Sequence, residues 1–329
     1  MQLKDRFNRT IDYVRIGVTD RCNLRCFYCM PKEGIPYEPK ADLLSYEEIV
    51  RLLDILGHLG FRKVRFTGGE PFLRKDFITL LEQTHKLSHY KAIRITTNGT
   101  LLTKHIPKLK VLGINTINLS LDSLDEKRFE KITRRNDFSK VMDTFHTLLN
   151  EGFTLKINAV VMNGINTQDI LPMVALAEKK TVSIRFIEEM PFNGGYKENN
   201  TIFKATDIFE TIKNEHPSLL AETGKHGDTA TNYTIDGFKG RIGIIPAFSR
   251  TFCNTCNRLR ITPKGDIKTC LYDGGVFSIR DFMRSGVTDK QLTNKFIELV
   301  KLKPENGFEA EKGKQQSLVR KESMSTIGG

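Results

Sequence analysis

The sequence of 329 residues has no apolar segment near the roughly 20 residues that a membrane-spanning helix needs, which excludes a membrane protein. It also lacks the apolar segment of a secretory signal, because charges are scattered through Met1 to Arg15; we therefore expect a cytoplasmic protein. Cysteine is scarce, with six residues in the chain, and this excludes a small disulfide-stapled fold. The remaining composition, 39% hydrophobic and 27% charged, is typical of a globular protein with a sizeable core.

Acidic residues are fewer than basic ones. The chain has 51 Lys and Arg against 39 Asp and Glu, a formal net charge of +12. This excess suits an anionic partner, but charge alone does not choose among nucleic acid, a nucleotide and an acidic surface.

Strands and helices alternate through the first two-thirds of the sequence. A clear helix runs from Ser45 to Leu59, where Ser45 and Glu48 form a capping box before an apolar stripe. Regular alternation predicts parallel strands covered by helices. The strand candidates are Tyr13–Val18, Lys63–Phe66, Ala92–Thr96, Thr116–Ser120, Thr154–Val161 and Ser183–Ile187.

These strands alternate apolar with polar residues, whereas parallel strands buried on both faces normally read as continuous apolar runs. If the apolar side packs on the helices, the other side is rich in Arg and Lys. A closed barrel fills its interior with apolar layers. We therefore expect an incomplete (β/α)6 TIM-type barrel whose basic interior holds a large anion; the alternative is a sheet with one solvated face.

The alternation of strands and helices ends at about Pro217, and we therefore predict two regions, residues 1–217 and 218–329. Two strand pairs, around Asp236-Gly237 and around Pro263-Lys264-Gly265, favour a smaller antiparallel β region. Helical segments follow it, so the whole chain is predicted to have an α/β fold.

The six cysteines form two triplets. Cys22, Cys26 and Cys29 have C-x3-C-x2-C spacing in the loop after the first strand, and the second triplet is Cys253, Cys256 and Cys270. Three thiolates can hold three irons of a 4Fe–4S cluster and leave one iron for an outside ligand. Structural zinc needs four closed ligands, and no histidine lies in either motif. One unusual site that pools all six cysteines remains open.

The first triplet, with Tyr28 before its last cysteine, resembles the radical S-adenosylmethionine superfamily, as does Gly68-Gly69-Glu70-Pro71, which matches its GGEP motif. Further motifs resemble one family within it, the GTP 3',8-cyclases of molybdenum-cofactor biosynthesis. These motifs are Val18–Asn23, Thr67–Pro71, Thr96–Gly99, Asn118–Asp122, Arg185–Glu188, Phe252–Arg260, Cys270-Leu271 and the terminal Gly328-Gly329.

The resemblance implies two 4Fe–4S clusters and S-adenosylmethionine as cofactors and GTP as substrate. In the family, a 5'-deoxyadenosyl radical takes the 3' hydrogen of the ribose, and the new radical attacks C8 of guanine. The product is (8S)-3',8-cyclo-7,8-dihydroguanosine 5'-triphosphate. An external one-electron donor and the next enzyme of the pathway would be partners, and the sequence allows a homodimer.

The resemblance also implies site residues. The methionine and nucleoside parts of S-adenosylmethionine would contact Tyr28, Gly69, Thr96, Ser120 and Met190. The substrate would be bound by Arg15, Lys63, Arg65, Lys156, Arg185, Arg258 and Arg260. Catalytic roles would belong to Arg258 and Arg260 beside the second triplet and to Gly328 and Gly329, which would enter the active site.

Two other functions compete with this one. Another radical S-adenosylmethionine enzyme with auxiliary clusters would share the first half but should have a longer cysteine-rich C-terminus. A basic zinc-dependent nucleic-acid-binding protein would explain the charge, but it would leave the GGEP motif and the inward-facing bases unexplained. We therefore expect no nucleic-acid partner.

Overall fold

The computed structural model describes residues 2–190, 202–224, 227–315 and 323–328, so Gly329 lies outside the described residues. The strands are β1 (Tyr13–Gly17), β2 (Lys63–Thr67), β3 (Ala92–Thr97), β4 (Thr116–Ser120), β5 (Thr154–Val161), β6 (Val182–Glu188), β7 (Leu220–Ala221), β8 (Thr231–Thr234), β9 (Arg241–Ile245), β10 (Arg258–Ile261), β11 (Asp266–Lys268) and β12 (Phe277–Ser278). The helices are α1 (Tyr46–His58), α2 (Phe77–Lys86), α3 (Ile106–Val111), α4 (Glu126–Thr133), α5 (Phe138–Asn150), α6 (Ile170–Lys179), α7 (Ala205–Glu215), α8 (Ile279–Arg284), α9 (Asp289–Lys301), α10 (Gly307–Gln315) and α11 (Met324–Ile327).

The predicted incomplete barrel of parallel strands is confirmed. Strands β1 to β6 are parallel neighbours in chain order, and the described sheet stays open, with β12 and β7 at its two edges. The two predicted C-terminal pairs are present as the antiparallel pairs β8–β9 and β10–β11. In addition, β10 pairs in parallel with β1 and β9 pairs in parallel with β6, so the C-terminal strands extend the barrel at both ends. The division at residue 217 stays a prediction.

The strand alternation places the core on the helix side of the sheet. Val14, Ile16, Val64 and Phe66 are fully buried there. On β5 and β6 buried residues alternate with partly exposed ones, and Lys156, Asn158 and Arg185 are among the partly exposed residues. The polar face of the sheet therefore lines the space inside the barrel.

Helix α1 begins with the capping box that the sequence predicts. The Ser45 hydroxyl accepts a hydrogen bond from the amide of Glu48 at 3.1 Å, and the Glu48 carboxylate accepts one from the Ser45 amide at 2.7 Å, which forms the predicted capping box. Helices α2 and α4 were missed. Asp76 precedes α2 in a left-handed conformation without a side-chain cap, and α4 buries only one side of a short, charged segment.

The polar stretch after Pro304 also contains helices that the sequence analysis did not predict, α10 and α11. Apolar contact explains the second of them, because Ile327 on α11 is 1% exposed. Among the described residues, no helix combines the length and the apolar character needed to cross a bilayer.

Candidate active site

The first cysteine triplet lies in the loop that follows β1. This loop is fixed to the end of α4: the amide of Arg25 donates to the Thr133 carbonyl at 2.8 Å, and the amide of Phe27 donates to the Ile132 carbonyl at 3.1 Å. The loop turns back on itself where the Cys29 amide donates to the Cys26 carbonyl at 2.9 Å. Its three thiols are thus held by backbone contacts rather than by a disulfide.

The two glycines after β2 let a second loop pack against the first. The amide of Gly69 donates to the Thr19 carbonyl at 2.8 Å. A Cβ at Gly69 would lie 2.2 Å from the Arg21 carbonyl oxygen, and one at Gly68 would lie 2.3 Å from that of Thr19. Gly68 also has a φ of +146°, which favours glycine. The glycine pair therefore holds the cysteine loop in place through close backbone contact.

Glu70 connects this packing to β3. Its carboxylate is fully buried and accepts hydrogen bonds from the Thr97 hydroxyl at 2.8 Å and the Asn98 amide at 2.7 Å. Burial raises the pKa of Glu70 to about 7, although these hydrogen bonds oppose the shift. Asn98 in turn donates to Asn23 at 2.9 Å and reaches the sulfur of Cys22 at 3.7 Å. Sequence reasoning quoted Asn98 in a motif but did not predict this role.

The second cysteine triplet lies between β9 and the loop after β11. Cys253 and Cys256 flank one short turn, closed by the Cys256 amide on the Cys253 carbonyl at 3.1 Å. The amide of Cys270 donates to Asp273 at 2.8 Å. Burial raises the pKa of Cys270 to about 11; at Cys256 the same effect is overcome by neighbouring cations, chiefly Lys303, and its pKa falls to about 6.

Both triplets open into one cavity of about 310 Å³, and all six cysteines line it. It is also lined by most of the predicted site residues, which are Arg15, Tyr28, Arg65, Gly69, Thr96, Ser120, Arg185, Met190, Arg258 and Arg260. Lys63 and Lys156 are not among its lining residues. Two sets of three thiols in one cavity, each without a fourth cysteine, are a donor set that fits two iron–sulfur clusters with one open iron each.

Four arginines form a row across adjacent parallel strands. Arg260 on β10 pairs in register with Arg15 on β1, Arg15 with Arg65 on β2, and Arg65 with Arg94 on β3. Directly opposite residues in a sheet have neighbouring side chains, and like charges in such positions repel. Arg94 was not predicted as a site residue.

Arg65 and Arg260 are the buried members of the row, whereas Arg15 and Arg94 are partly exposed. Arg65 and Arg260 are each 6% exposed, and burial together with the neighbouring guanidinium groups lowers the pKa of Arg260 to about 9. The buried Nε atoms of Arg15, Arg65, Arg94, Arg185 and Arg258 have no hydrogen-bond partner. Buried charged donors without partners are costly, so this arrangement suits a bound polyanion.

Tyr13 lies at the centre of this basic group and was missed as a site residue. Its ring is 5.9 Å from the Arg15 guanidinium and 5.7 Å from that of Arg65, and its buried hydroxyl has no partner. Although burial raises the pKa of Tyr13, the surrounding arginines lower it to about 8. It pairs in register with Lys63, which places this predicted residue beside the basic group although not in the cavity wall.

Two further predicted site residues, Tyr28 and Met190, have side-chain partners within the protein, whereas Thr96 has none. The Tyr28 hydroxyl donates to the buried carboxylate of Asp122 at 2.7 Å. The hydroxyl of Tyr272 lies 3.0 Å from the sulfur of Met190. The hydroxyl of Thr96 is buried without a partner. Thr96 thus offers a free donor to a ligand, whereas Tyr28 and Met190 are already engaged.

The C-terminal tail enters the barrel. Ser323 donates to the Cys29 carbonyl at 2.7 Å, and Arg260 donates to the Ile327 carbonyl at 3.4 Å. Gly328 is buried with a φ of +74°, and a Cβ there would lie 3.0 Å from Thr67. The tail therefore spans the distance between the first cysteine loop and the arginine row.

Comparisons with known proteins identify the family of this chain. Residues 16–177 match the model of the radical SAM superfamily, and residues 182–309 match that of molybdenum cofactor synthesis C. A GTP 3',8-cyclase of Clostridium perfringens is 38% identical over 331 aligned positions, which cover 99% of this chain and 100% of that protein. The mitochondrial GTP 3',8-cyclase of Arabidopsis thaliana is 40% identical over 88% of this chain and 75% of that protein.

The chain belongs to the GTP 3',8-cyclase family of the radical SAM superfamily. As a radical SAM protein it takes a 4Fe–4S cluster and S-adenosylmethionine as cofactors. Molybdenum cofactor biosynthesis protein 1 of Bos taurus is 42% identical over 88% of this chain, but the chain spans only 46% of that protein. Streptococcus suis SuiB, solved with S-adenosylmethionine bound, has a TM-score of 0.59 and 18% identity over 88% of this chain and 67% of SuiB, which shows the shared fold.

Proposed function

We propose that the protein converts GTP to (8S)-3',8-cyclo-7,8-dihydroguanosine 5'-triphosphate, an early step of molybdenum-cofactor biosynthesis. The observation that carries this proposal is that three arginines of the row, Arg15, Arg65 and Arg260, line the same cavity as two cysteine triplets, with unpartnered buried donors on Arg15 and Arg65. A nucleoside triphosphate supplies the several negative charges that such a row needs. The names of the relatives from Clostridium perfringens and Arabidopsis thaliana support the choice of GTP.

Cys22, Cys26 and Cys29 would hold the first cluster. With S-adenosylmethionine bound and one electron from a donor, that cluster would supply the radical chemistry that the removal of the 3' hydrogen of the ribose requires. We assign Gly69 and Thr96 to the methionine part of S-adenosylmethionine, and Tyr28, Ser120 and Met190 to its nucleoside. The unpartnered hydroxyl of Thr96 supports its assignment most directly, because a buried donor without a partner is otherwise costly.

Cys253, Cys256 and Cys270 would hold a second 4Fe–4S cluster that faces the guanine base. Arg258 lies between the second and third cysteines of this triplet and points a guanidinium nitrogen at the sulfur of Cys256, 3.8 Å away. Arg260 lies on the same side of β10 and reaches the tail. We therefore propose that Arg258, Arg260, Gly328 and Gly329 position the reacting part of the substrate.

The triphosphate would lie against the arginine row, where Arg15 and Arg65 supply charged donors, and Arg185 on β6 would supply another. We propose Lys63 and Lys156 as further contacts at the margins of this group. Tyr13 and Arg94, which the sequence analysis did not select, each carry a buried donor without a partner and join the proposed set.

We also propose an external one-electron donor and transfer of the product to the next enzyme of the pathway, with the reaction in the cytoplasm and with the chain able to form a homodimer. A zinc-dependent nucleic-acid-binding protein is the competing function. Its basic residues would need to face outward, and the arginine row faces the inside of the barrel.

The decisive experiment is an anaerobic assay of the iron-loaded protein with GTP, S-adenosylmethionine and a strong reductant. We expect 5'-deoxyadenosine and the cyclised triphosphate in equal amounts, and no cyclised product when ATP replaces GTP. Cleavage of S-adenosylmethionine without any change in GTP would contradict the proposed substrate. A colourless protein that retains zinc and no iron would favour the competing function.

A further inference from the structure

Lys303 is a buried lysine that neither the sequence motifs nor the reaction accounts for. It follows α9, is 3% exposed, and lines the cavity together with the second triplet. Its ammonium group donates to the carbonyl of Arg258 at 2.9 Å and to that of Thr269. These two residues lie two positions after Cys256 and one before Cys270, so one side chain connects both cysteine segments.

The same ammonium group also reaches the cysteines themselves. It forms a hydrogen bond with the thiol of Cys256. Burial raises the pKa of all three thiols of the triplet, and the charge of Lys303 opposes that shift at each of them. A positive charge in this position would stabilise the negative charge of the three thiolates.

The backbone around Lys303 is itself fixed to the second triplet. Arg9 donates to the carbonyls of Cys253 at 2.9 Å, Pro304 at 2.6 Å and Glu305 at 2.6 Å, and it is paired with Asp5 at 2.6 Å. The ammonium group of Lys303 is therefore held in place from both ends of its side chain.

We propose that Lys303 is a positioning residue for the second cluster, one that joins its two cysteine segments and supplies the positive charge beside its sulfur ligands. This inference rests on the second cluster proposed above. Charge and hydrogen bonds near an iron–sulfur cluster set its reduction potential, and a positive charge favours the reduced, more negative state. Lys303 should therefore raise the potential of the second cluster.

The test uses the full chain with Cys22, Cys26 and Cys29 changed to Ala, so that only the second cluster can be present. In this background Lys303→Met should lower the midpoint potential in an EPR-monitored redox titration, and Lys303→Arg should restore most of the shift. Lys301→Met, which changes an exposed lysine of α9, should leave the potential unchanged. Loss of iron from Lys303→Met but not from Lys303→Arg would also support the role.

Two results overturn the inference. One is Lys303→Met with full iron content and an unchanged potential; the other is equal loss of iron from the Met and Arg variants, which would show a packing role only. A parent protein without iron would instead contradict the second cluster itself, so the two failures are distinguishable.

A separate group of three side chains lies on the outer surface and does not line the cavity that both triplets share. Asp54 and His58 occupy the last turn of α1, and His89 lies between α2 and β3. The Oδ1 atom of Asp54 is 3.1 Å from Nε2 of His89 and 3.8 Å from Nδ1 of His58, and the ligating atoms lie within 4.8 Å of one another. Ligands around a tetrahedral zinc ion are about 3.4 Å apart.

The surroundings hold this group in place. Gly57 lets the His89 ring pack on α1, since a Cβ there would lie 2.3 Å from the ring. The Tyr90 hydroxyl donates to the Leu53 carbonyl at 2.7 Å, which fixes the segment that carries His89. The two imidazole rings lie 4.5 Å apart between centroids.

We infer from this geometry that Asp54, His58 and His89 bind one divalent transition-metal ion, with water at the remaining position. Two imidazoles and a carboxylate are a donor set that suits Zn²⁺, and the exposed side leaves room for water. Such an ion would join α1 to the segment before β3.

The test is zinc binding to the full chain with both iron–sulfur sites loaded, followed by gel filtration and elemental analysis. We expect the wild type and the surface control His85→Ala to retain one more zinc per chain than His58→Ala or His89→Ala. Zn²⁺ should also raise the unfolding temperature of the first two proteins only. Equal zinc retention by all four proteins, or none by any of them, would overturn this site.

Discussion

Arg15 on β1 and Arg260 on β10 are direct neighbours across a parallel strand pair. The two residues are far apart in the chain, and this pairing places β10, which lies between Cys256 and Cys270 of the second triplet, beside the strand that precedes the first triplet. Both triplets consequently face one cavity, and the arginine row continues without interruption from the C-terminal region into the barrel. The relationship explains how one substrate could contact residues from both ends of the sequence.

Arg65 offers the sharpest test of the basic interior. Arg65→Ala should weaken GTP binding by about 1.5–3 kcal/mol, the usual value of a hydrogen bond to a charged group. Isothermal titration should show this loss for GTP but a much smaller one for guanosine, which has no phosphates. Arg241→Ala removes an exposed arginine from the same sheet and should leave both affinities unchanged. Equal losses for GTP and guanosine would place Arg65 away from the triphosphate.

Lys156 should make GTP binding depend on pH. Burial, with the nearby Arg185, Arg94 and Arg65, lowers the pKa of its ammonium group to about 7, and Asp228 only partly opposes this. A bound triphosphate favours the charged form and so raises that pKa. The protein should therefore take up a proton on binding above pH 7, and its affinity for GTP should fall as the pH rises.

Calorimetry in buffers of different ionisation enthalpy measures this proton uptake. Lys156→Arg keeps its charge throughout this range and should bind GTP without the corresponding uptake. The prediction fails if wild type and Lys156→Arg take up the same number of protons between pH 7 and 9.

The sequence predicted those features that short motifs or regular spacing encode. The cysteine triplets, the glycine pair at Gly68-Gly69 and the alternating strands were recognised because each signal lies within a few residues. The parallel pairing of β10 with β1 was not predicted, since strand pairing across the chain has no local signature. Because this pairing was not predicted, the arginine row was not recognised, although three of its members, Arg15, Arg65 and Arg260, had been selected as site residues.

The missed site residues have the same explanation. Tyr13 and Arg94 share a strand face with selected residues, but only the assembled sheet shows that their donors are buried and unpartnered. Lys303 has no motif of its own, and its place beside the second triplet depends on how α9 packs. Lys63 and Lys156 were selected by resemblance, and they lie at the margin of the cavity rather than in its wall.

The two triplets should load iron independently. Protein reconstituted without oxygen should contain about eight irons per chain, because each triplet should carry one four-iron cluster. Changing Cys22, Cys26 and Cys29 to Ala should remove about half of the iron, as measured by elemental analysis together with sulfide. Full iron content in that variant would mean that the six cysteines do not form two independent sites.

The second triplet should be needed for cyclisation but not for radical formation. A variant with Ala at Cys253, Cys256 and Cys270 should still release 5'-deoxyadenosine from S-adenosylmethionine under reducing conditions, at least slowly, because the first triplet is intact. It should form no cyclised product from GTP. Normal amounts of that product, measured by chromatography and mass spectrometry, would show that the second site has only a structural role.

The tail should be needed for cyclisation although it lies far from any cysteine in the sequence. Gly328 is buried beside Gly17 and Thr67, and Arg260 donates to the preceding carbonyl of Ile327. Removal of Gly328 and Gly329 should therefore place the terminal carboxylate of Ile327 beside Arg260, in place of a neutral carbonyl, and abolish cyclisation. Iron content and GTP affinity should stay close to those of the full chain, because neither the thiols nor the rest of the arginine row is changed.

Gly328→Ala provides a finer version of the same test. Its φ of +74° disfavours any residue with a Cβ, and the added carbon would lie 3.0 Å from Thr67. The variant should thus cyclise GTP more slowly than the wild type but faster than the truncated chain. Gly313→Ala, in an open position on α10, is the matched control and should keep the full rate. A truncated chain that cyclises GTP at the wild-type rate would show that the buried tail does not take part in the reaction.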